Sequence, residues 1–185
     1  MGDGAANQGQ VYESYNMAAL WKLPVLYVIE NNRYGMGTSA KRHAAGELGK
    51  RGDGYDIPNE RVDGMDVLAV QAAARKAMDH IRAGNGPYIL EMDTYRYRGH
   101  SMSDPGKYRE RDEIEKMREE RDPIERLKVL ILRDTSISEA DLDALEKDIK
   151  AVVNDSAEFS QSSPELPADE LWTDILIPVR EETYA

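Results

Sequence analysis

The sequence predicts an α/β protein: a parallel sheet with covering helices over residues 1–108, followed by a helical region over 109–185. Three observations predict it. Helical and strand-like segments alternate in the order helix, strand, loop, helix, strand, the pattern of a parallel sheet. The run 25–30, Val-Leu-Tyr-Val-Ile-Glu, is short, continuous and rich in branched and aromatic residues, which suits a strand buried on both faces. Beyond Arg109 the chain becomes charged and helical in pattern, and glycine disappears.

The elements follow in order. Residues 8–22 place Val11, Tyr15, Ala18, Ala19 and Leu20 at roughly helical spacing. Asn7 is the expected cap, and Pro24 ends the helix by disfavouring helical geometry at Leu23. After the strand at 25–30, residues 31–55 read as a long polar loop with several glycines, a length usually tied to function. Residues 61–63 suit a short strand. Residues 66–82 form a second helix capped by Asp66 and stopped by Gly84 or Gly86, and 87–95 form another strand. A second loop spans 96–108. Helices are expected over 109–120, 123–132, 139–159 and 168–175, with start signals at Asp122-Pro123 and Ser138-Glu139-Ala140-Asp141.

The 185 residues suffice for one domain with a sizeable core. The 24 Lys and Arg against 35 Asp and Glu give a net charge of −11 and a pI near 4.8. This balance argues against nucleic acid and anionic membranes as partners, because both need clustered cations. The absence of cysteine excludes disulfides, thiolate metal sites and a cysteine nucleophile, and fits a reducing compartment. No apolar run reaches the length of a membrane span, and the first residues lack the basic and apolar regions of a signal peptide.

Two turns carry the candidate chemistry. Gly2-Asp3-Gly4-Ala5-Ala6-Asn7 opens the first helix, where small residues admit a ligand to free backbone N–H groups. Asp3 beside bound phosphates would repel them unless a divalent cation lay between. Asn31-Asn32-Arg33-Tyr34-Gly35 follows the first strand, and in a parallel sheet the C-terminal strand ends are where ligands sit. Asn32 then offers an amide oxygen beside Asp3, and a carbonyl near Tyr34 a third oxygen. That donor set suits magnesium bridging a diphosphate. Taken singly, each segment reads as an ordinary turn. The Gly-x-x-x-x-Gly-Lys and Gly-x-Gly-x-x-Gly phosphate fingerprints are both absent.

Gly2-Asp3-Gly4 with Asn31-Asn32 at the end of the next strand resembles the thiamin diphosphate signature. The stretches 2–10, 30–39 and 95–106 (Tyr-Arg-Tyr-Arg-Gly-His-Ser-Met-Ser-Asp-Pro-Gly), continuing through Asp122-Pro123-Ile124, resemble the family of pyruvate dehydrogenase E1 α subunits over essentially the whole chain. The resemblance implies the thiamin diphosphate-binding fold. It implies Mg²⁺ bound by the side chains of Asp3 and Asn32 and the carbonyl of Tyr34. Gly2, Gly4 and Ala5 would lie against the cofactor, and His100 would reach the diphosphate from its loop and shape the active-site entrance. Ser101 and Ser39 match phosphorylation positions of mitochondrial members. Where that pattern has another serine before Tyr108, this chain has Lys107 and a shorter loop, a departure from the kinase-controlled pattern.

The implied activity is decarboxylation of pyruvate on thiamin diphosphate and reductive acetylation of the lipoyl group of E2. The implied partners are the E1 β subunit, which supplies the carboxylate that activates the cofactor, and the lipoyl domain of E2. The implied compartment is the bacterial cytoplasm or the mitochondrial matrix. Family members are substantially longer, so the chain reads as a C-terminal half. Its sheet is expected to be incomplete, with both strands 25–30 and 87–95 short of a neighbour. Alone it is expected to be inactive and prone to self-association. Competing readings are an acetoin or branched-chain 2-oxo acid dehydrogenase piece, a non-catalytic docking module built on the acidic helices, and a nucleotide binder using residues 2–9, which lacks the usual lysine.

Overall fold

Residues 1–173 are described by a computed structural model. They form two compact units, Met1–Asp134 and a second one beginning at Thr135.

The first unit is built on a three-stranded parallel sheet ordered β1 (Leu26–Asn31), β5 (Tyr88–Asp93), β4 (Asn59–Asp63). The registers Leu26↔Tyr88 and Asn59↔Ile89 fix the pairing. β5 is central and obeys the period-two rule with both faces covered. Tyr88, Leu90 and Met92 pack with Val62 against Ala73, Ala77 and Ile81 of α3 (Val67–Arg82). Ile89 faces the other way and joins Ile29, Leu48, Ile57, Ala6 and Tyr15, the last from α1 (Gly9–Leu20).

Also on that face is Glu91, a buried carboxylate. It accepts from Gly49 N and Asn31 Nδ2, both at 2.8 Å, and so ties the 3₁₀ segment Gly49–Tyr55 and the end of β1 to the central strand.

Two expectations are corrected. Full burial on both faces belongs to β5, whereas in β1 only Ile29 is buried, Val28 is 36% exposed and Glu30 is exposed. The apolar run in β1 reflects strand propensity, while its place at the side of β5 leaves only Leu26 of that face packed against the α3 cluster, with Val28 and Glu30 exposed. The segment 87–95 is not short of a neighbour, because β5 pairs on both sides.

Residues 31–55, read as a loop, contain the hairpin β2 (Tyr34–Gly35)/β3 (Thr38–Ser39), the single turn α2 (Ala40–His43) and the 3₁₀ segment. Asp66 caps α3 as expected, its carboxylate accepting from Leu68 N and Ala69 N at 3.0 Å.

Helices α4 (Arg111–Arg121) and α5 (Pro123–Asp134) belong to the first unit. Neither has a buried residue; they are tied on by polar contacts. Arg121 pairs with Asp63 at 2.5 Å, Arg126 with Asp66 at 3.1 Å, and Tyr95 OH donates to Glu113 at 3.0 Å.

The second unit holds α6 (Glu139–Ser162), started by the expected capping box: Ser138 Oγ accepts from Asp141 N at 3.3 Å, and Asp141 accepts from Ser138 N at 2.8 Å. The helix expected over 168–175 is a 3₁₀ segment at Ala168–Trp172, and its last two residues lie outside the described ones. Among the described residues no helix is long and apolar enough to cross a membrane.

Candidate active site at the C-terminal edge of the sheet

The chain start runs parallel to β1: Gly2 bridges to Glu30, and Glu30 N donates to Met1 O at 2.8 Å. This register delivers the Gly2-Asp3-Gly4 turn to the C-terminal end of β1, where the chain leaves the strand through Asn31-Asn32-Arg33. Two side-chain turns shape that exit. Asn31 Oδ1 accepts from Arg33 N at 3.2 Å, and Asn32 Oδ1 from Tyr34 N at 3.3 Å. Arg33 takes a left-handed φ of 73°.

The two turns touch. A Cβ placed on Gly35 would stand 3.3 Å from Gly4 Cα, and one on Gly4 would stand 3.4 Å from Gly35 Cα. A side chain at Gly35 would crowd the Gly4 backbone, so glycine there eases this approach of backbone to backbone.

Asn7 does not cap α1. Residues Ala5–Asn7 form a 3₁₀ turn, so α1 begins after Gln8, which makes no side-chain cap. The turn directs the Asn7 amide inward. Its Nδ2 donates to Asp3 O at 3.3 Å and meets His43 Nδ1 at 2.9 Å. His43 Nε2 in turn lies 2.9 Å from Asp3 Oδ2, and Asp3 is 1% exposed. Sequence reasoning missed His43. A histidine inside an aperiodic polar loop carries no signal until α2 folds it over the turn.

The second loop lies over the hairpin. Arg96 Nη2 donates to Met36 O and Tyr108 OH, both at 2.6 Å, and its Nη1 to Tyr34 O at 3.4 Å. Arg109 is buried, donates to the carbonyls of Arg96 and Arg98, and stands 5.4–5.6 Å from the ring centres of Tyr34, Tyr95 and Tyr108. Asp104 gathers the loop tip, accepting from His100 N at 2.7 Å, Gly106 N at 2.9 Å and Tyr108 OH at 2.8 Å. These bonds, the His100 amide first, lower its carboxyl to about 2.

The result is an open cleft of about 760 Å³. Gly2, Asp3, Gly4, Ala5, Asn32, Tyr34 and His100 all line it, together with His43 and Arg96. Ser39 lines a neighbouring cleft with Arg33 and Lys41. Ser101 is exposed, its hydroxyl 3.0 Å from that of Ser103.

Residues 1–169 match the family described as dehydrogenase E1 component. The chain belongs to this family. It is 59% identical over 177 residues to the pyruvate dehydrogenase E1 component subunit alpha of Rhizobium meliloti, covering 95% of this chain and 51% of that protein. To the subunit of the same name in Zymomonas mobilis it is 57% identical over 178 residues, covering 95% and 50%. To the somatic mitochondrial form of Homo sapiens it is 51% identical over 172 residues, covering 92% and 44%. The chain thus spans about half the length of the curated relatives it matches, which are both bacterial and mitochondrial.

The cleft of this E1 chain fits a magnesium diphosphate group by its donor chemistry. Asp3 is a buried carboxylate whose Oδ2 is held by His43. Asn32 Oδ1 uses one lone pair on Tyr34 N, leaving a second. Tyr34 O accepts a long 3.4 Å contact from Arg96. No cluster of three His, Cys, Asp or Glu able to hold a metal occurs among the described residues. A dication here would draw on one carboxylate, amide and carbonyl oxygens, and oxygens of its own ligand, as magnesium does.

Proposed function

We propose that this chain is part of the α subunit of a pyruvate dehydrogenase E1 component. With a β subunit it would decarboxylate pyruvate on thiamin diphosphate and reductively acetylate the lipoyl group of E2. The observation that carries the reading is the backbone contact of Gly4 with Gly35, which sets buried Asp3 beside Asn32 and Tyr34 in one cleft. The names of the relatives support the substrate.

In this reading residues 1–108 belong to a thiamin diphosphate-binding fold, and a helical region begins at 109. The cofactor, when bound, supplies the electron sink for decarboxylation. The chain's residues bind and orient. Asp3, Asn32 and the Tyr34 carbonyl hold Mg²⁺ against the diphosphate, while Gly2, Gly4 and Ala5 let it approach the backbone. His100, on a loop fastened through Asp104, offers its imidazole to the diphosphate at the mouth of the cleft. Ser101 and Ser39 are proposed phosphorylation positions, Ser101 being exposed on the loop that Asp104 gathers. A carboxylate that activates the cofactor comes from the β subunit, so the chain alone is inactive.

Binding of thiamin diphosphate and Mg²⁺ to the whole subunit assembled with its β partner tests the reading. Asp3→Ala and Asn32→Ala are expected to abolish or strongly weaken it. Full complex activity in both variants would overturn it and favour a docking role. Assays on pyruvate, acetoin and branched-chain 2-oxo acids decide the substrate, with pyruvate expected.

A further inference from the structure

His43 is one of three histidines in the chain and is the one that touches the Gly-Asp-Gly turn. It reaches across 40 positions to put Nε2 2.9 Å from Asp3 Oδ2, with its side chain only 18% exposed. The other ring nitrogen, Nδ1, lies 2.9 Å from Asn7 Nδ2. That amide nitrogen also lies 3.3 Å from the Asp3 carbonyl oxygen, which can only accept. The Asn7 amide is therefore oriented with its NH₂ group toward both, one hydrogen for each. A nitrogen facing an N–H donor must present its lone pair, so Nδ1 accepts and the ring hydrogen sits on Nε2. Nε2–H then donates to Asp3 Oδ2.

We infer that Asn7 and His43 form a positioning relay for Asp3. Asn7 selects the ring tautomer, His43 fixes the rotation of the carboxylate, and Oδ1 is left for a divalent cation in the cleft. His43 is a positioning residue, because it acts on the cation through Asp3. The inference rests on the magnesium–diphosphate reading above.

The geometry suits this role better than a packing role. His43 Nε2 would stand 3.5 Å from a Cβ on Gly35, so the ring sits at the seam where the two turns meet. A carboxylate that a metal uses is commonly held by such an outer hydrogen bond, and loss of the partner typically lowers metal affinity about 10–100-fold. Glutamine is the discriminating substitution. Its Nε2 can occupy the place of the histidine Nε2 and donate to Oδ2, but it has no ring and needs no tautomer set by Asn7.

The test is Mn²⁺ titration, followed by electron paramagnetic resonance, of the whole subunit assembled with its β partner and thiamin diphosphate. His43→Ala is expected to weaken Mn²⁺ binding by at least about tenfold, and His43→Gln to restore it to within a few-fold of the parent. Asn7→Leu should weaken binding in the histidine parent and have little effect in the His43→Gln background. Nitrogen NMR of labelled histidine should report the Nε2–H tautomer for His43. Unchanged Mn²⁺ affinity in His43→Ala, with loss of binding in Asp3→Ala, would overturn the relay and leave the metal site standing. So would a His43→Gln variant that folds and binds as weakly as His43→Ala. Unchanged binding in Asp3→Ala would overturn the site reading itself.

Discussion

Gly4 and Gly35 are in backbone contact across two turns that are 31 residues apart in sequence, each lying 3.3–3.4 Å from where the other's Cβ would be. The contact is tightest for a side chain at Gly35, which the Gly4 backbone must accommodate by giving way a few tenths of an ångström.

Gly35→Ala should therefore separate Asp3 from Asn32 while leaving the sheet intact. Neither residue has a left-handed φ, so the effect is steric and not conformational. Overpacking of this kind destabilises by about 1–3 kcal/mol. The expected outcome is a modest drop in melting temperature with a much larger loss of thiamin diphosphate and Mg²⁺ affinity, measured by calorimetry on the assembled complex. Equal, small effects on both would show that the contact does not set the site.

The convergence of these turns was legible because a parallel sheet puts successive strand ends at one edge, and the apolar run ending at Glu30 marks that edge. Asp66 and Ser138 were legible as caps because each precedes a periodic apolar pattern. Asn7 looks like the same signal, yet the 3₁₀ turn at Ala5–Asn7 delays α1 and turns its amide to His43 instead. Strand order was not legible. The runs at 25–30 and 87–95 are similarly apolar, and only tertiary pairing makes β5 the covered strand and β1 the half-covered one. His43 and Arg96 act through contacts some 40 and 60 residues away, which no local spacing encodes.

Glu91 should carry a large share of local stability. Its carboxylate is buried and accepts from Gly49 N and Asn31 Nδ2. Glu91→Ala leaves both donors without their partner, and hydrogen bonds to a charged group are worth about 1.5–3 kcal/mol each. Urea unfolding should show a destabilisation of roughly 2–4 kcal/mol, and hydrogen exchange at Gly49 should rise. A loss below 1 kcal/mol would mean that water replaces the carboxylate.

Arg109→Lys is predicted to be non-conservative. The guanidinium faces three tyrosine rings and donates to two carbonyls at once, which a lysine ammonium cannot reproduce in the same plane. Hydrogen exchange of residues 96–108 should accelerate markedly while β5 keeps its protection. Uniform acceleration across both would indicate global destabilisation instead.

The same loop should melt in acid through Asp104. Its carboxyl is lowered from 3.8 to about 2, first by the His100 amide, then by Gly106 N and the Tyr108 hydroxyl. A carboxyl depressed in the folded state stabilises it above the unfolded value and loses that contribution as pH falls toward the folded one. Loop order, followed by the exchange of residues 96–108 or by tyrosine fluorescence, should hold above pH 4 and decline between pH 4 and pH 2. Asp104→Asn keeps one acceptor oxygen but not the charge, and Asn has no carboxyl to titrate. It should loosen the loop at neutral pH and abolish this acid step. Persistence of the step in Asp104→Asn would assign it to another carboxylate. A step absent from both proteins would mean that Arg96 and Arg109 hold the loop without Asp104.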